Sequence, residues 1–175
     1  VANTTAADWA NFTGGRVTDN TYVTFGVDIT RVTDLTHGFS WISQFSGLAA
    51  SQALPDTERL GLGGFYAVRG YDNGDGTVDT GLVWRNEVRL PTLSPLANSG
   101  AGLVDRLSPF AFLDLGHGYD FSTKDHTTLA STGIALDYTI LDNFTAGLSA
   151  AVALNDAAST KAGDWTFNAS IRIAY

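Results

Sequence analysis

Apolar and polar residues alternate one by one along most of the chain. Near the C-terminus Trp165, Phe167, Ala169, Ile171, Ile173 and Tyr175 share one face, opposite Thr166, Asn168, Ser170, Arg172 and Ala174. Successive side chains of a β-strand point to opposite faces, so a period of two predicts a strand. In 144–154, Phe144, Ala146, Leu148, Ala150, Val152 and Leu154 oppose Thr145, Gly147, Ser149, Ala151 and Ala153. In 133–140, Ile134, Leu136, Tyr138 and Ile140 oppose Gly133, Ala135, Asp137 and Thr139. Val23, Phe25, Val27 and Ile29 stand out in 22–30, and Phe39, Trp41 and Phe45 in 39–46. In 82–90, Leu82, Trp84, Val88 and Leu90 oppose Val83, Arg85, Glu87 and Arg89. In 110–115, Ala111, Leu113 and Leu115 oppose Phe110, Phe112 and Asp114. These are seven strands. Residues before Gly14 alternate poorly, and Trp9 and Phe12 are the candidates for an eighth.

The connections differ in length. Tight turns are predicted at 33–35 and 141–143. The segments 51–79, 117–128 and 155–163 read as long loops rich in Gly, Asp, Asn, Ser and Thr. The connection 91–106 should fall on the short-turn side, yet it is long and holds Pro91, Pro95, Asn98 and Gly100. Short turns at one end and long loops at the other are the habit of outer-membrane barrels. A soluble sandwich or lipocalin-like barrel also alternates, so periodicity leaves the wet face undecided. Three features favour a membrane. The strands reach about 10 residues, a crossing length. Aromatics such as Phe39, Trp41, Trp84, Tyr138, Trp165 and Tyr175 sit near strand ends, as interfacial girdles do. The opposite faces are small and polar.

Composition narrows the choice. Charged residues are 16% of the 175, against about 25% in an average soluble domain. No apolar run approaches the roughly 20 residues of a membrane helix. Cysteine is absent, which removes disulfides, thiolate metal sites and thiol nucleophiles. Methionine is absent too, so Val1 is expected to be an N-terminus left by cutting. The net charge of -8 argues against nucleic acid and against a polybasic membrane-surface patch. The length predicts a single domain over 1–175.

One segment carries more than periodicity. Leu62, Gly63 and Gly64 precede Val68, Arg69, Gly70 and Tyr71, and an acidic run of Asp72, Asn73, Gly74, Asp75 and Gly76 follows. The next strand ends Arg85, Asn86, Glu87, Val88, Arg89, Leu90, Pro91, and the one after carries Phe112, Leu113, Asp114, Leu115, Gly116. Over roughly residues 20–175, in this order, the chain resembles outer-membrane transporters of two-partner secretion, the ShlB/FhaC-like TpsB proteins. They belong to the superfamily of BamA-type assembly barrels. The resemblance implies an antiparallel transmembrane β-barrel in the bacterial outer membrane. It implies secretion of a haemolysin- or adhesin-type exoprotein, without enzymatic chemistry, cofactor or metal. It implies that Arg69 lies inside the barrel, paired with Asp114 and also with Glu87. Glycines 61, 63, 64 and 70 would let the loop fold tightly. Phe167, Ile171, Ile173 and the closing Tyr175 match the C-terminal signal read by the barrel-assembly machinery.

Other candidates weigh less. Asp72, Asp75 and Asp79 lack the Gly and Glu register of a calcium loop. His37, His117 and His126 have no metal-ligand spacing. Ser108, Asp114 and His117 are close in sequence, but need a regular strand to share a face. Arg85, Glu87 and Arg89 read as interior charges packed on one another.

Length sets the expected scale. A family transporter has sixteen strands preceded by periplasmic POTRA domains. This chain is expected to hold about eight strands, the C-terminal half of such a barrel, and no POTRA domain. An eight-stranded barrel is just filled by its own side chains, so no wide pore is expected. The expectation is a fragment, an engineered half or a miniature relative. A small structural or adhesive outer-membrane protein and a soluble β-barrel binding module are the alternatives. Expected partners are outer-membrane lipid, the assembly machinery, an exoprotein and a second copy of the chain.

Overall fold

The computed structural model describes residues 5–19, 21–97, 103–141 and 143–174. Its body is one antiparallel sheet of seven strands. They are β1 (Thr24–Asp34), β2 (Ser40–Ala50), β5 (Thr80–Arg89), β6 (Asp105–Tyr119), β7 (His126–Ile140), β8 (Phe144–Ala153) and β9 (Trp165–Ile173), hydrogen-bonded in that order. Two short strands, β3 (Leu60–Gly61) and β4 (Thr77–Val78), pair with each other inside the loop 51–79. The sheet is thus a meander, each strand turning back on its neighbour. It has the form of a barrel wall, and among the described residues β1 and β9 do not meet. The antiparallel barrel wall expected from the sequence is present, with seven strands and open between β1 and β9.

The segment that offered candidates for an eighth strand is a helix, α1 (Ala6–Phe12). Thr5 and Asp8 form a reciprocal capping box, the Asp8 carboxylate accepting from the Thr5 amide at 2.8 Å and the Asp8 amide donating to the Thr5 hydroxyl at 3.3 Å. A capped start satisfies amides that would otherwise lack partners. Trp9 and Phe12 are then three apart on one helical face, their rings edge to face. That spacing suits a helix and defeats alternation.

The strand ends also move. β1 runs to Asp34, and the turn falls on 35–39 with His37 at φ 60. The expected loop 117–128 shrinks to 120–125, because β6 and β7 extend across most of it. Gly116 and Gly118 look like turn residues in the sequence. In the fold they stay extended and admit the loop 51–79, since side chains there would press on Val68 and Val78.

Apolar side chains are buried between the loop and the wall and are also exposed on the wall's outer face. Leu62, Val68, Tyr71, Val78, Val83, Leu129 and Ala153 form a buried cluster between the loop and the concave face of the wall. Phe110, Phe112 and Ala151 form a second on that face. Each large apolar side chain so covered contributes about 1.5–3 kcal/mol. The opposite face carries Phe25, Trp84, Ile134, Leu148, Phe167, Ile171 and Ile173, all exposed. An apolar exterior, with the charged network kept inside beneath the loop, is what a lipid-facing barrel requires.

The loop anchored inside the wall

The loop 51–79 leaves β2 at the long-loop end and folds back over the concave face. Its chain is shaped locally first. The Leu62 amide donates to the Gly76 carbonyl (2.8 Å), and the Val68 amide donates to the Leu62 carbonyl (2.9 Å). Gly64 adopts φ 109 and Gly70 φ 105, a region L side chains rarely enter. At Gly70 an added Cβ would also stand 3.1 Å from Ser131 and 3.3 Å from Ala151. Gly70 therefore lets the backbone lie against β7 and β8 while Arg69 points the other way.

Arg69 reaches β6 and β5. Its Nε and Nη2 donate to the two oxygens of Asp114 at 2.7 and 2.8 Å, and its backbone amide donates to the same carboxylate at 3.2 Å. Its Nη1 donates to Glu87 at 2.9 Å. The guanidinium lies over the Phe112 ring, 3.8 Å from the centroid. Alternation explains the gathering: Asp114 and Phe112 are two apart on β6, and Glu87 is the register partner of Phe112. Arg89 continues the network, donating to the other oxygen of Glu87 (2.8 Å) and to Asp137 (2.9 Å), over the Phe110 ring. Arg69 and Asp114 are 3% and 0% exposed. Such a pair is strongly coupled, because either charge alone would be stranded.

Three further anchors hold the loop. The Tyr71 hydroxyl donates to the Ala130 carbonyl (2.9 Å) and accepts from the Asn155 amide (3.2 Å). Asp75 accepts from the Ser159 amide and hydroxyl, both at 2.7 Å, and from the Thr160 amide and hydroxyl. Burial alone would raise the Asp75 carboxyl. The hydrogen bonds from Thr160, Ser159 and the Asp72 amide outweigh it and hold the group well below the usual carboxylate range. At the root, Asp79 accepts from the amides of Leu54 (2.9 Å) and Phe121 (2.7 Å) and from Arg16 (2.7 Å). Arg16 and Arg59 both pair with Asp120.

The structure thus gathers Arg69, Asp114 and Glu87, with Gly63, Gly64, Val68, Gly70 and Tyr71 shaping the same loop. Phe167, Ile171 and Ile173 lie on the exterior of β9, and Tyr175 falls outside the described residues. Asp72, Asp75 and Asp79 do not form one cluster, since Asp75 and Asp79 face different partners. His117 and His126 stack ring on ring at 5.6 Å beside Tyr119. The Nδ1 of His117 is bonded to Thr128, while Asp114 is engaged by Arg69 and Ser108 contacts Thr92. The three candidate hydrolytic residues therefore do not converge. Sequence reasoning missed the Phe110 and Phe112 shelf, Asp137, and the partners Arg16, Arg59, Asp120, Ser159 and Thr160. One signal was available: two phenylalanines on an otherwise polar face imply something that covers them.

The family model described as haemolysin secretion/activation protein ShlB/FhaC/HecB matches residues 3–139. That range takes in α1, the anchored loop with Arg69, and the wall as far as the next-to-last residue of β7. No curated protein and no solved structure matches the chain.

Proposed function

Since the chain belongs to the ShlB/FhaC/HecB family of outer-membrane transporters of two-partner secretion, we propose that it forms the loop-bearing wall of a conduit for an exoprotein. Further strands close the conduit, from the same polypeptide or a second copy, because β1 and β9 carry unpaired edges among the described residues. An open edge in lipid leaves backbone groups unsatisfied at several kcal/mol each. The exterior of β9, with Phe167, Ile171 and Ile173, is in place to be read by the assembly machinery.

The observation that carries this reading is the buried Arg69–Asp114–Glu87 network, joining the loop to β6 and β5 from inside. Four separate anchors make the loop a fixed strut. Releasing it in every transport cycle would break the Arg69 pair, at about 3–5 kcal/mol for a buried pair losing one partner. The exoprotein then passes beside the loop. Neither β1 nor β2 has a buried residue. A cavity of about 420 Å³ separates their inner side from the loop, with Thr30, Gln44, Ser46 and Tyr66 among its lining. Polar side chains of this kind suit an extended, unfolded polypeptide.

The test locks the loop. The Cγ2 of Val68 lies 2.9 Å from where a Cβ on Gly116 would stand, within reach of a disulfide. The native chain has no cysteine, so Val68→Cys with Gly116→Cys introduces the only pair. In cells making a cognate exoprotein, secretion is expected to require the protein and to continue with the lock oxidised. No secretion by the native protein contradicts transport. Secretion lost on oxidation and restored by reductant contradicts the fixed strut.

A further inference from the structure

One charge on the concave face is poorly matched to its surroundings. Arg85 stands directly opposite Asp114 in the β5–β6 register, yet its Nε is 4.0 Å from Asp114 and its Nη2 3.8 Å from Glu87. Both distances are too long for hydrogen bonds. The Nε is buried and has no hydrogen-bond partner. The Nη1 only reaches the Tyr66 carbonyl of the loop, at 3.5 Å. Arg69 holds the near oxygens instead, and Arg89 holds the remaining oxygen of Glu87.

A half-buried guanidinium with a buried, unmet Nε donor is costly, so its retention beside two occupied carboxylates asks for a reason. The acids belong to the wall, whereas their main counter-ion belongs to a long loop. Local strand pairing precedes the docking of such a loop, whose closure entropy must be met first. During that interval Asp114 and Glu87 face a cavity without Arg69. A shift of about 1 Å brings Arg85 to hydrogen-bond distance of both.

We propose that Arg85 is the reserve counter-ion of Asp114 and Glu87. It neutralises them whenever the loop is out of the interior and yields them to Arg69 when the loop docks. The Tyr66 carbonyl then receives the displaced guanidinium, so Arg85 exchanges a carboxylate for a loop contact. This rests on the reading that Arg69 anchors the loop inside the wall, and not on what is transported.

The experiment places Arg85→Ala in the native and in the Arg69→Ala background, in outer membranes. It reads the temperature at which the fast-migrating folded form is lost on a detergent gel. The expected shift is small in the native background and several times larger without Arg69. Arg85→Lys is expected to restore most of the loss in the Arg69→Ala background. A double variant that fails to assemble while both singles assemble supports the proposal equally. Equal shifts in the two backgrounds overturn it, as does failure of Arg85→Ala alone or of Arg69→Ala alone to assemble. Secretion is not read, so this outcome stands apart from that of the locked loop.

Discussion

Three kinds of contact hold the Arg69 guanidinium, and each depends on its planar fork. Two parallel bonds reach Asp114, a third reaches Glu87, and the flat face rests on Phe112. Lysine keeps the charge but offers a compact ammonium with neither the fork nor the stacking face. Arg69→Lys is therefore expected to melt closer to Arg69→Ala than to the native protein, by the gel shift on heating. A near-native Lys variant would mean that charge alone suffices. At this scale the acidic partners were legible, because alternation puts Glu87 and Asp114 on the polar face and the family resemblance names Arg69 as their mate. The aromatic shelf was legible only as two phenylalanines on an otherwise polar face, without the cation that covers them. Phe112 reads as one more apolar residue until a loop cation is seen to cover it.

Among the elements, the loop 51–79 and the connection 154–164 hold each other through Asp75. Its carboxyl lies below the usual carboxylate range in the fold. A depressed folded pKa contributes stability that is complete above the unfolded value of about 3.9 and is lost as pH falls toward the folded one. The stability gap between native protein and Asp75→Asn is thus expected to be constant from pH 7 to about 5 and to narrow below about 4. Melting midpoints measured across that range check it; a gap that closes between pH 5 and 7 would place the clasp elsewhere. The seven wall strands were legible from their period of two. The helix α1 was not, since its capping box and the helical spacing of its two aromatics were overlooked. The lengths of β6 and β7 were misjudged because Gly116 and Gly118 serve the packing of Val68 and Val78, a contact far away in sequence.

At the scale of the molecule, apolar surface faces outward as well as inward. Apolar side chains such as Ile134 and Phe167 line the exterior, and Glu87, Asp114 and Asp137 are paired with arginines within. The outer-membrane barrel character was readable from alternation joined to low charge. Closure was not, because pairing between first and last strands leaves no mark on periodicity. The wall therefore stands open at β1 and β9 among the described residues, and its width is not set by seven strands alone. What unifies the interior is the bond between loop and wall. It is tested most directly by combining Arg69→Ala with Asp114→Ala and following heat-induced loss of the folded barrel in outer membranes. The two costs are expected to fall short of adding, by a coupling on the order of 0.5–3 kcal/mol for residues in one network. Full additivity would contradict the account, since the loop would then not be held by this pair.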